Sequence, residues 1–235
     1  MSESHHANQG RREFVSRLAS ATAVAALLPV STSTLRFDGH EGASETRRTN
    51  RTWDDSWTIR VRAATHKAVF DGPEISSGEV FDYAGRWLAG LHAALGISDA
   101  DAAAVIVIRH TGITMALNDT LWGKYEFAKY SKLDDPTTGK LARRNPFLRI
   151  RKDDTHATID AESSIESLRS RGAVLLACND ALEWVATQTA QETKQKPEDL
   201  KAEFHANLIP GVILQPNGVY ATLRAQAAGC GFMRP

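Results

Sequence analysis

The chain has 235 residues, 42% of them hydrophobic and 24% charged, which is globular composition and excludes wholesale disorder or a fibrous repeat. Lys+Arg and Asp+Glu both total 28, so no net positive charge is available to neutralise phosphates, and a dedicated nucleic-acid binder is excluded. Two cysteines are too few for a disulfide scaffold or a four-cysteine zinc site, so the domain must rest on a hydrophobic core.

In chain order, Arg11, Arg12 and Phe14 precede an apolar stretch from Leu18 to Val30. That stretch is about 13 residues, short of the roughly 20 needed to span a bilayer as a helix. A basic segment followed by a short apolar one is signal-peptide architecture, and the paired arginines match the twin-arginine export pattern. Residues 1–35 are therefore expected to be an export signal, recognised by the twin-arginine export machinery. The mature protein would be periplasmic or otherwise exported, with no stable membrane anchor. Residues 36–56 are polar and aperiodic and read as a linker to a domain over 57–235.

Thr58 to Asp71 carries β-branched and apolar residues and reads as extended up to the Asp71-Gly72-Pro73 breaker. Ser76 and Glu79 have capping-box spacing ahead of an amphipathic helix with Gly96 at its stop. Ala103 to Ile108 is a continuous apolar run, the signature of a buried parallel strand. Residues 113–162 form a long, aromatic insertion of weak periodicity, and such segments are usually functional. Its Arg143-Arg144 and Arg149–Lys152 read as a solvated basic face.

Ser164–Arg171 reads as a short helix and Ala173–Cys178 as a second buried strand. Asn179 and Asp180 are expected to cap the helix that follows. Pro197 starts another helix with Leu200, Phe204 and Leu208 on one face. Gly211–Leu214 is a short strand, Pro216-Asn217-Gly218 turns into a helix, and Cys230–Met233 forms an edge strand. Strand–helix alternation of this kind predicts a three-layer α/β/α Rossmann-like domain with a mostly parallel sheet of about five strands.

Ligands of open α/β sheets bind beyond the strand carboxyl ends, here near Asp71, His110, Asn179, Asp180 and Asn217. Cys178 stands at such an end just before a helix. Backbone N–H groups and the helix dipole there favour a thiolate able to hold or transfer sulfur. The alternative is that Cys178 is a small buried hydrophobe. Cys178 and Cys230 could instead be joined, closing a loop worth roughly 3–4 kcal/mol in the chain-entropy model. His66 and His110 lie in or beside neighbouring strands and, with a third donor, could hold a metal or haem, although no ligand spacing supports it. No Gly-x-Gly-x-x-Gly, Walker loop or Gly-x-Ser-x-Gly elbow is present, and no motif requires a cofactor.

The runs Gly172–Leu182, Leu208–Val212, Pro216–Val219 and Arg224–Cys230 resemble the DsrE-like sulfur-relay superfamily, most nearly its exported, twin-arginine-tagged members. His66–Asp71, Arg109-His110, Trp122–Tyr125 and Asn145–Phe147 are similar to the same members, so the resemblance spans about Thr65 to Met233. It implies a Rossmann-like domain, often a homo-oligomer, whose strand-end cysteine handles persulfide, and Cys178 matches that cysteine. The function so implied is binding or relay of sulfur, with a small sulfur species or a redox protein as partner. The alternative is a non-catalytic binding or accessory module for a metal, haem or redox partner, with a Cys178–Cys230 disulfide. Compact members of the superfamily lack so long an insertion.

Overall fold

A computed structural model describes residues 53–235. The expected export signal, with Arg11, Arg12 and Phe14, lies outside the described residues. Among those described, no helix is long and apolar enough to cross a membrane.

Five parallel strands form one sheet in the order β4-β3-β2-β1-β5. They are β1 (His66–Gly72), β2 (Ala102–Ile108), β3 (Val174–Cys178), β4 (Ile213–Gln215) and β5 (Gly231–Met233). The order follows from the connections. From β1 the chain steps three times in one direction, through helices packed on one face of the sheet. It then returns across the whole sheet on the other face, as right-handed crossovers require. The result is a three-layer α/β/α Rossmann-like domain.

The front layer holds α2 (Glu79–Leu95), α5 (Ile165–Ser170), α6 (Asn179–Thr193) and α7 (Pro197–Ala206). The back layer holds α1 (Trp57–Ala63) and α8 (Gly218–Ala227). Strand β2 is buried throughout because both faces are covered, and its residues alternate between the two cores. Ala104, Ile106 and Ile108 point to the front, Ala103, Val105 and Val107 to the back. The front core is thick and aromatic, with Phe81, Trp122, Phe147 and Phe204 fully buried. At the back, Ala221 and Ala225 let α8 lie close to the strands.

Three local expectations are corrected. Trp57–Ala63 is helical, not extended, because Trp57 and Val61 stand one turn apart and together bury against the back of the sheet. Ser76 and Glu79 form no capping box: Ser76–Gly78 is a 3₁₀ turn, and left-handed Gly78 (φ 87°) precedes α2. A Cβ on Gly78 would lie 2.6 Å from the Phe147 ring, so the turn needs glycine on two counts.

The third correction concerns the insertion, which contains α3 (Asp119–Tyr125) and α4 (Ala128–Ser131). Arg144 is not on a solvated face. Its guanidinium pairs with Asp135 (3.1 Å) and with fully buried Asp154 (2.5 Å). Burial pushes the Asp154 carboxyl up, but hydrogen bonds from Thr137 and the Arg151 N–H and the Arg144 charge overcome it and hold the group below its ordinary value. Arg149 does lie at the surface, paired with Glu166. Asn145 is fully buried and pins the insertion by donating to the carbonyls of Met115 and Leu117, both at 2.8 Å.

Candidate functional site

The carboxyl ends of β1, β2 and β3 bring Asp71, Arg109 and Cys178 to one edge of the sheet. Asp71 is the second-last residue of β1, and Arg109 is the first residue after β2. Strand alternation turns both toward the back layer. The buried Asp71 carboxylate accepts two hydrogen bonds from Arg109, from Nε at 2.6 Å and from Nη2 at 2.7 Å. This two-pronged geometry suits a guanidinium and fixes its plane. The side chain of Arg109 then crosses the first residue of α8. A Cβ on Gly218 would lie 2.4 Å from Arg109 Cδ, so only glycine admits this path. Asn217 caps α8 by accepting a hydrogen bond from the Tyr220 N–H at 2.8 Å.

Cys178 ends β3 and is itself the cap of α6. Its Sγ accepts from the Ala181 N–H at 3.3 Å, and the residue is 6% exposed. This corrects the expectation that Asn179 or Asp180 caps the helix. Cys178 keeps an extended backbone and Asn179 is already helical, so the capping acceptor falls one residue earlier. Asn179 instead donates to Glu183 Oε1 at 3.0 Å, and Asp180 is exposed in the first turn. Cys178 is also close enough to Arg109 to act on its charge. The hydrogen bonds that Arg109 donates to Asp71 raise the pKa of its guanidinium, desolvation opposes the rise, and the charges of Asp71 and Cys178 add to it.

His66 and Cys230 are not part of this edge. His66 opens β1 opposite Ala102, whereas His110 follows the far end of β2. In a parallel pair these positions are roughly 25 Å apart along the strands, so the two imidazoles share no metal or haem. Among the described residues, no group of three or more His, Cys, Asp or Glu side chains is placed to hold a metal ion.

The two cysteines are free and both buried. The register sets Cys230 level with Lys67, and Cys178 one residue beyond the level of Gly72, on strands three apart. That is about 20 Å along the strands and about 14 Å across them. A disulfide tolerates about 7 Å between Cα atoms, so the alternative in which the two are bridged is ruled out.

Beyond the carboxyl ends of β1 and β5, where the strand order reverses, lies a pocket of about 60 Å³. A far larger cleft, of about 880 Å³, opens on the front layer between the loop after β1, the 3₁₀ segment His110–Ala116, the insertion and α6. His110 lines it, its ring stacked on Trp184 with centroids 6.2 Å apart. Sequence reasoning named His110 but missed Arg109, Thr114, Tyr130 and Trp184. Arg109 was legible in principle, because Asp71 and Arg109 follow Val69 and Val107 at the same parity on adjacent strands. Nothing in the sequence places Tyr130 of the insertion against α6.

No family model and no curated protein matches the chain. A solved structure of a protein of unknown function from Methanobacterium thermoautotrophicum is similar to it, with a TM-score of 0.38 and 15% identity. The match covers 72% of this chain and 99% of that one.

Proposed function

We propose that this protein is an exported sulfur carrier that binds or relays sulfane sulfur through Cys178. The observation that carries this reading is the thiol's position. Its Sγ caps α6 by accepting a backbone N–H, and Arg109 stands at the end of the adjacent strand. Asp71 takes no part in the chemistry. It orients Arg109.

The step needs no external oxidant. The Cys178 thiolate attacks the outer sulfur of a persulfide R–S–SH. A sulfur–sulfur bond forms on Cys178, the sulfur–sulfur bond of R–S–SH breaks, and the thiolate R–S⁻ departs with its electron pair. Attack by an acceptor thiolate on the Cys178 persulfide reverses the exchange and frees Cys178. The resemblance to the DsrE-like superfamily supports the same assignment, and Arg11, Arg12 and Phe14 support export.

Intact mass spectrometry after incubation with glutathione persulfide tests it. The full chain is expected to gain the mass of one sulfur atom, to lose it on reduction and to retain the gain in Cys230→Ser but not in Cys178→Ser. Loading that survives Cys178→Ser would sink the proposal. Export is tested separately: replacing Arg11 and Arg12 together by Lys should leave the protein in the cytoplasmic fraction.

A further inference from the structure

The cleft beside α6 is built from polar and aromatic groups that the chemistry at Cys178 does not use. Thr114 lies on its inner wall, 7% exposed, and its Oγ1 is buried without a hydrogen-bond partner. A hydroxyl left in that state costs about 1–3 kcal/mol unless something in the cleft bonds to it. The aromatic surfaces face the same space: Trp184 is 49% exposed, Tyr130 is 69% exposed, and His110 stacks on the indole.

The charges have one sign. Glu74 and Glu192 line the cleft, and no lysine or arginine does. The rim is also conformationally strained. His110 has φ 49°, and Ser76 and Ser77, on the facing loop, have φ 36° and 55°. Backbone held in this region by non-glycine residues collects at ligand clamps.

We infer that this cleft binds a flat aromatic organic cation. Carboxylates on the rim repel anions and attract a positive charge. The faces of Trp184 and Tyr130 stabilise a cation stacked on them and accept a planar ring. The cleft is large enough for a ligand of drug-like size, and Thr114 supplies a hydrogen bond at its inner end. The insertion acquires a role here, because Tyr130 belongs to it and closes one side of the cleft. The inference is independent of sulfur transfer, since Cys178 is not among the residues lining this cleft.

Titration of the full chain with N-methylacridinium, acridine and acridine-9-carboxylate, followed by probe fluorescence, tests the inference. The cation is expected to bind saturably with one site per chain, the neutral ring more weakly, and the anion not at all. Trp184→Ala should weaken the cation about tenfold. The Glu74→Gln/Glu192→Gln pair should narrow the gap between cation and neutral ring to about twofold or less. Thr114→Ser should bind as the parent does, and Thr114→Val about threefold more weakly. Glu74, Trp184 and Glu192 are not buried, so their variants should melt as the parent does, whereas Thr114→Val, which removes an unpaired buried hydroxyl, should melt no lower than the parent. Sulfur loading of Trp184→Ala should equal that of the parent. Absence of saturable binding, anion binding equal to cation binding, or an unaffected Trp184→Ala would each overturn the inference.

Discussion

Cys178 and Cys230 are both buried thiols on one sheet, yet their surroundings differ in what they offer a negative charge. Cys178 stands at the carboxyl end, where its Sγ accepts a backbone N–H and Arg109 is near. Cys230 stands at the amino end, packed into the back core with Ala225 and Ala228. Burial there pushes its pKa up to about 11, and the charge of Lys67 offsets only part of the rise. Both thiols are buried, and they differ in the polar groups that reach them.

The largest expected effect is on alkylation. With a pKa of about 11 rather than the ordinary 9.0, Cys230 should carry about a hundredfold less thiolate in the neutral range. In Cys178→Ser, the remaining Cys230 should accordingly react with iodoacetamide at least that much more slowly than a free thiol. In Cys230→Ser, the remaining Cys178 should react readily once the chain is native. Equal rates for the two variants would erase the contrast.

The same shift has a sign in stability. Folding raises the pKa of Cys230, so its contribution is complete below about pH 9 and is lost as pH rises towards about 11. The stability difference between the parent and Cys230→Ala, followed by urea denaturation, should shrink across that window. A difference that grows with pH would contradict it.

Next in size is Asp71→Asn, which leaves Arg109 facing a neutral amide. Removing one partner of a buried pair costs about 3–5 kcal/mol. The Arg109 side chain is 25% exposed and partly solvated, so about 2 kcal/mol is expected. A loss under about 0.5 kcal/mol would show that water already screens the pair.

Smaller still is the sulfur cap. Cys178→Ala should destabilise by about 1 kcal/mol through loss of the acceptor, and Cys178→Ser, with an oxygen at the same position, should recover most of it. If serine were no better than alanine, the Ala181 N–H contact would not be a cap. Asn217→Gly should cost only a few tenths of a kcal/mol, because glycine is itself tolerated at a helix start.

Much of the layering was readable from residue patterns. The run ending at Ile108 had to be buried on both sides, and the apolar stripe of α2 had to face a sheet. Gly96 and Asn217 mark a helix end and a helix start through chemistry that is local to each of them. Where the reading failed, the deciding contact was distant in the chain. Trp57–Ala63 carries too few residues for periodicity to separate helix from strand, and its burial under the back of the sheet settles the matter. Arg144 looks like one of a run of surface cations until Asp135 and Asp154 are folded around it.

The sequence by itself determined that this chain forms a layered α/β domain and that Cys178 ends a buried strand ahead of a helix. Both follow from hydrophobic periodicity and local turn chemistry, which act over a few residues. Only the tertiary structure decided that the thiols are apart, that His66 and His110 are apart, and that Asp71 holds Arg109 beside Cys178. Those outcomes depend on strand order and register, because in a parallel sheet the end of the strand on which a residue sits decides what it can meet.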